Sequence, residues 1–441
     1  MLAATRRAIV STTASAKASY ATAAAAQGVQ ITTAKNGVKV ASVEEAGQTA
    51  GLSVVVNGGS RLENGHAGVA HFLKNYGFKN NANRTAFRIA REAELAGAVL
   101  SSNLTHESIV YSAEFLSEDA EQFAEILADV VQNQKFQEHE FIDIAKQTAA
   151  ESANAWATPE LASLELAHQG AFRTGLGNSV FAKPTSHINN AAVKSYAKQL
   201  FVSGNIALVG TGIAHETVEK LAETYFAGLP SGQELKSAAT KYYGAEIRTE
   251  GSNALAQYVL AFEGAASNSA EFAAAQVLRF ALGGDKFVKW SAGSSLLAQA
   301  SAKFGETTEI KAFNFGYSDA GLFGVQVTAA NADATAAVSA AAEQLKAVAT
   351  NLSGEDFKRA VAQAKFAAVA GLETRLDRLE TVGTQALLSG NYTSTSELVA
   401  ALDKITASEV SKIAEKILKG KATTVALGDL SSLPYADSVS L

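Results

Sequence analysis

Gly68-Val-Ala-His-Phe-Leu-Lys-Asn-Tyr-Gly-Phe-Lys79 is the stretch on which the reading of this chain turns. It lies in a helical segment, Ala67 to Tyr76, that follows a glycine-ended strand. Side chains three and four residues apart share a helix face, so His71, Lys74 and Asn75 project together. Their chemistry is unlike that of a metal or acid–base site. An ammonium cannot accept a proton at neutral pH, and it repels a dication a few ångströms away. A carboxamide is a poor zinc ligand beside imidazole. Taken alone, His71 is an ordinary packed or partly exposed histidine.

The elements around this helix occur twice. Leu52-Ser-Val-Val-Val-Asn-Gly-Gly-Ser60 and Gln257-Tyr-Val-Leu-Ala-Phe-Glu-Gly264 are strand-like runs into glycine, each followed by a helix, the second over Ala270 to Leu282. Ser108 to Phe115 alternates as a half-buried strand does and leads into a helix over Ser117 to Val131. Its counterpart, Gly321 to Thr328, leads into Asp333 to Thr350. Ile206-Ala-Leu-Val-Gly-Thr-Gly212 and Thr424-Val-Ala-Leu-Gly-Asp429 close the two series. Corresponding strands start at Leu52 and Gln257, Ser108 and Gly321, and Ile206 and Thr424, so the repeat is about 205 to 220 residues. Hairpin-like strands with long intervening helices predict an α+β chain of two homologous domains, each a mainly antiparallel sheet with helices on one face. The expected division is 23–226 and 241–441, joined by a linker at 227–240 that carries Gly228, Pro230 and Gly232.

The bulk composition narrows the function. The 441 residues hold no cysteine, which excludes disulfides, thiolate metal sites and iron–sulfur ligation by this chain. Net charge is −6, so no nucleic-acid footprint is present. Charged residues make up only 18%, against about 25% in an average soluble protein, which suits a surface covered by partners. No run of about 18 apolar residues exists to span a bilayer.

The first acidic residue is Glu44, preceded by Arg6, Arg7, Lys17, Lys35 and Lys39. An acid-free opening rich in Ala, Ser and Thr has the composition of a mitochondrial transit peptide, assigned to residues 1–22. Cleavage near Tyr20 would remove three of the 37 basic residues and leave 34 against 43 acidic ones, a net charge of −9.

The helix quoted first resembles the zinc-binding helix of the inverzincin peptidases, a family that includes pitrilysin, insulin-degrading enzyme and the mitochondrial processing peptidase. Their motif is H-x-x-E-H, in which two histidines bind zinc and the glutamate activates water. His71 matches the first ligand, Lys74 stands at the base and Asn75 at the second ligand. Glu151 lies near the position of the family's distal glutamate ligand. The resemblance therefore implies an inverzincin fold with a degenerate motif, no catalytic residue, no metal and no cofactor.

Softer motifs resemble the family's non-catalytic core subunits of respiratory complex III: Leu282 to Leu297, Asn178-Ser-Val-Phe181 and Ile206 to Ile213. That likeness implies a matrix-side position at the inner membrane, reached through other subunits. The implied partners are core protein 1 and the cytochrome-bearing and iron–sulfur subunits of a dimeric complex. The alternative is the non-catalytic, substrate-recognising subunit of the mitochondrial processing peptidase, where acidic surface would attract basic presequences.

Other motifs carry less. Gly210-Thr-Gly212 has His215 where a dinucleotide loop needs its third glycine, and Gly316 to Gly321 misses nucleophile-elbow spacing by one residue. Glu138-His-Glu140 reads as a solvated helix start. Trp156 and Trp290 read as core or interface residues.

Overall fold

The computed structural model describes residues 28–63, 65–251, 254–285, 291 and 293–439. The transit-peptide assignment, 1–22, and Trp290 lie outside them. The first half runs β1 (Gln30–Thr33), β2 (Lys39–Val43), β3 (Thr49–Asn57), α1 (Val69–Asn75), α2 (Ala86–Leu95), β4 (Val99–Leu104) and β5 (Ser108–Leu116). It continues through α3 (Ala120–Gln132), α4 (Glu138–Ala157), α5 (Pro159–Phe172), α6 (Asn190–Leu200), β6 (Ile206–Thr211) and α7 (His215–Tyr225). The second half runs β7 (Glu246–Glu250), β8 (Leu255–Gly264), α8 (Glu271–Leu282), α9 (Leu296–Ser301), β9 (Glu309–Gly316) and β10 (Gly321–Ala330). Six elements complete it: α10 (Ala334–Thr350), α11 (Gly354–Ala370), α12 (Arg375–Leu388), α13 (Thr395–Lys404), α14 (Ala407–Lys419) and β11 (Thr423–Gly428). Residues 227–245, between α7 and β7, carry neither helix nor strand.

The repeat is explicit in the strand order. The first sheet is β1-β2-β6-β3-β5-β4 and the second is β7-β11-β8-β10-β9. In each, one parallel pair, β2 with β6 or β7 with β11, adjoins an antiparallel meander. The paired landmarks of the sequence fall on equivalent strands: β3 with β8, β5 with β10, β6 with β11. Apart from α5 and α12, the helices that cover the sheets pack on one face of the sheet of their own half, around Leu52, Val54, Phe123 and Leu127 in the first and Tyr258, Phe262, Val338 and Leu345 in the second.

The opposite faces are covered by an exchange. Helix α12 of the second half lays Leu379, Val382, Ala386 and Leu387 against Val55, Val110 and Val209 of the first sheet. Helix α5 of the first half lays Ala167, Ala171 and Phe172 against Val259, Ala261 and Val425 of the second. Both faces of the central strands are thus dry, which is why β3 reads as a run of valines rather than a strict alternation. Each fully buried Leu or Val in these contacts is worth about 2 kcal/mol. Each exchanged helix brings a glycine to its sheet. A Cβ on Gly170 would lie 3.0 Å from Thr423 Cγ2, and one on Gly383 would lie 2.8 Å from Val209 Cγ2 and collide with Val55. Among the described residues no helix is long and apolar enough to cross a membrane.

Candidate functional site

Helix α1 has only seven residues, too few to persist by itself, so both of its ends are tied. At its start the Glu63 carboxyl accepts the Gly68 N–H at 2.9 Å and the Ala70 N–H at 3.1 Å. Burial pushes the Glu63 carboxyl up to about 8, against the opposing pull of those two bonds. At its other end α1 meets the middle of α4, where Glu151 stands.

The structure brings His71, Lys74, Asn75 and Glu151 together. A single oxygen, Glu151 Oε2, accepts from three donors: His71 Nε2 at 2.7 Å, Lys74 Nζ at 2.8 Å and Asn75 Nδ2 at 3.1 Å. Its other oxygen accepts from Gln147 at 3.0 Å. Asn75 Nδ2 also reaches Thr148 Oγ1 at 2.9 Å. Burial would raise the Glu151 carboxyl, but Lys74, Gln147, His71 and Asn75 together hold it down to about 2. Burial lowers the His71 pKa, and the nearby ammonium adds to that against the pull of Glu151. The ring is neutral, and its partners fix the tautomer. Nδ1 accepts the Ala182 N–H at 3.2 Å, so Nε2 carries the hydrogen given to Glu151. His71 is 2% exposed and bonded through both nitrogens, so it is more than the packed or partly exposed histidine its lone motif suggests.

These residues do not fit zinc. The imidazole lone pair is spent on a backbone N–H, and the other ring nitrogen presents a proton. Asn75 turns its NH₂ toward the carboxylate, and Lys74 contributes a positive charge at the same oxygen. Every group but Glu151 is a donor, while a cation needs lone pairs. Among the described residues no group of three or more His, Cys, Asp or Glu side chains is placed to hold a metal ion.

The other motifs are structural. Glu138 accepts from Asn190 at 3.0 Å, and Glu140 accepts the Asn80 N–H at 2.9 Å, which docks the start of α4. Gly212, at φ 72°, turns the chain out of β6 toward α7. The glycine-flanked turn between β9 and β10 has a role that its motif does not reveal. Arg61, 5% exposed, donates to Glu107 at 2.5 Å, Ser318 Oγ at 3.1 Å, Asp319 at 2.7 Å and Thr240 Oγ1 at 3.0 Å. This clasp joins the two halves and the segment between them. Beside it His106 stacks on His168 at 4.8 Å. No sequence signal marks the clasp, because Arg61 and Asp319 are 258 positions apart.

Comparison with known proteins agrees with this architecture. Residues 39–184 match the insulinase model of peptidase family M16, and residues 187–364 match the peptidase M16 inactive domain. The chain belongs to peptidase family M16. Within it, the chain is 38% identical over 419 residues to "Cytochrome b-c1 complex subunit 2, mitochondrial" of Cryptococcus neoformans var. grubii, covering 93% of this chain and 94% of that protein. It is 28% identical over 425 residues to "Mitochondrial-processing peptidase subunit alpha" of Solanum tuberosum, covering 93% and 84%. A chain of complex III2 from Candida albicans shares the fold, with a TM-score of 0.80 at 20% identity over 93% of this chain and 98% of that one.

Proposed function

We propose that this chain serves as core protein 2 of mitochondrial complex III, a non-catalytic subunit on the matrix side that supports the complex passing electrons from ubiquinol to cytochrome c. The observation that carries the non-catalytic part is Lys74, whose ammonium sits 2.8 Å from Glu151 where the family's peptidases need a general base. A proton acceptor cannot be made from it at neutral pH. The likeness to subunit 2 over nearly its whole length supports the place in the complex. The partners in this reading are core protein 1 and the cytochrome-bearing and iron–sulfur subunits of a dimeric assembly. Membrane attachment runs through those subunits.

Native electrophoresis of solubilised mitochondria tests it. The chain should migrate with the haem-containing complex. Purified chain should leave presequence peptides intact, with or without added zinc. The second reading is the substrate-recognising subunit of the processing peptidase, supported by the potato relative at the lower identity of 28%. It predicts migration as a matrix heterodimer with a zinc-bearing partner.

A further inference from the structure

We propose that the Lys74 ammonium is a built-in counter-cation that has taken over a metal's mechanical role, tying α1 to α4 through Glu151 and thereby barring a divalent ion from the site. Lys74 has a long, flexible stem and solvent within reach, yet its side chain is only 16% exposed and its Nζ lies on Glu151 Oε2. The same oxygen takes His71 and Asn75, so three side chains of α1 converge on one atom of α4. A metal ion would make that convergence with bonds from lone pairs; the ammonium makes it with N–H donors and a single positive charge. One cation beside one carboxylate leaves the pair neutral, which a half-buried site tolerates better than an unpaired charge. A dication would face that ammonium within a few ångströms, with only Glu151 to offset the repulsion.

The tie acts on a short helix. Seven residues make under two turns of helix, and the anchors at each end, Glu63 and Glu151, both lie outside it. The inference rests on the non-catalytic reading of this site and is tested separately from it.

The test uses the full chain without a metal-binding tag, in four forms: wild type, Lys74→Arg, Lys74→Met, and the pair Lys74→Glu with Asn75→His. Urea unfolding and zinc titration by calorimetry are measured on each. Lys74→Met should lower the folding equilibrium constant roughly tenfold, as loss of a half-buried charge partner does, and Lys74→Arg should recover most of it. Wild type should take up no zinc. The paired variant should bind about one equivalent and raise its urea midpoint on doing so. A Lys74→Met chain as stable as wild type would overturn the mechanical part. Stoichiometric zinc in wild type, or a folded paired variant blind to zinc, would overturn the exclusion part. If the paired variant does not fold, Asn75→His in the Lys74→Met background replaces it, with the same readings. Peptide cleavage by wild type would instead strike the functional proposal.

Discussion

Tyr317, in the turn between β9 and β10, donates its hydroxyl hydrogen to Nε2 of His168 on α5 at 2.7 Å, linking a tyrosine of the second half to a histidine of the first. The tautomer is fixed at the other nitrogen: Nδ1 must donate to the Leu164 carbonyl at 2.8 Å, which leaves Nε2 as the acceptor. Burial lowers the His168 pKa to about 4, while in the unfolded chain it returns to an ordinary 6.5. Below pH 6.5 the unfolded chain therefore gains a proton that the folded chain refuses until about pH 4. Stability from this group is complete above 6.5 and erodes across that window, by about 3 kcal/mol in total for a fully buried ring. The urea midpoint of wild type relative to His168→Phe should fall between pH 7 and 4, a difference in which groups common to both chains, such as Glu63, cancel. At pH 7.5 Tyr317→Phe should cost about 1–3 kcal/mol by leaving the buried nitrogen unpaired.

Glu63 sets the opposite limit. Its folded pKa is raised to about 8 against 4.5 unfolded, so its contribution is full below 4.5 and is lost as pH rises to 8. Glu63→Gln removes the titration but also replaces one acceptor oxygen of the α1 start with an NH₂ group. The variant should be less stable than wild type at pH 5 and show a smaller decline from there to pH 8.5. A slope unchanged by the substitution would assign the decline to other groups.

The clasp predicts a large effect from one side chain. Arg61→Met strips the partner from Glu107, itself only 11% exposed, and cuts the bonds to Ser318, Asp319 and Thr240. Removing one member of a buried pair costs about 3–5 kcal/mol, whereas replacing both leaves less strain. The double variant Arg61→Met with Glu107→Gln should accordingly be more stable than Arg61→Met alone. A double-mutant cycle by urea denaturation measures the difference.

The exchanged helices give a pair of contrasting substitutions. Alanine in a helix interior is favoured over glycine by about 1 kcal/mol. At Gly170 the new methyl meets Thr423 and Ile247 at 3.0 and 3.2 Å, so that gain is largely offset and Gly170→Ala should be near neutral. At Gly383 it collides with Val55 in the core of the first sheet, and overpacking there costs about 1–3 kcal/mol. Gly383→Ala should therefore lower the melting temperature while Gly170→Ala barely moves it.

Much of this was legible in the sequence because it is local or periodic. The two series of strands and helices follow from runs such as Leu52 to Ser60 and Gln257 to Gly264, and the topology places them on equivalent strands. His71, Lys74 and Asn75 share a face by helix geometry alone, and Glu151 enters through resemblance. What the sequence hides is pairing at long range. Nothing in Leu379 or Val382 says that they cover Val55 rather than the sheet of their own half. Arg61 looks like any surface arginine until folding sets it against Glu107 and Asp319. His168 and Tyr317 carry no motif, since each is defined by the other.

The reciprocal placement of α5 and α12 also dictates an order of maturation. As the polypeptide emerges, the outer valines of the first sheet stay bare until α12 (Arg375–Leu388) has been made, so a nascent or newly imported chain carries an adhesive surface for most of its length. A chain cut before Arg375 would leave Val55, Val110 and Val209 uncovered on the first sheet.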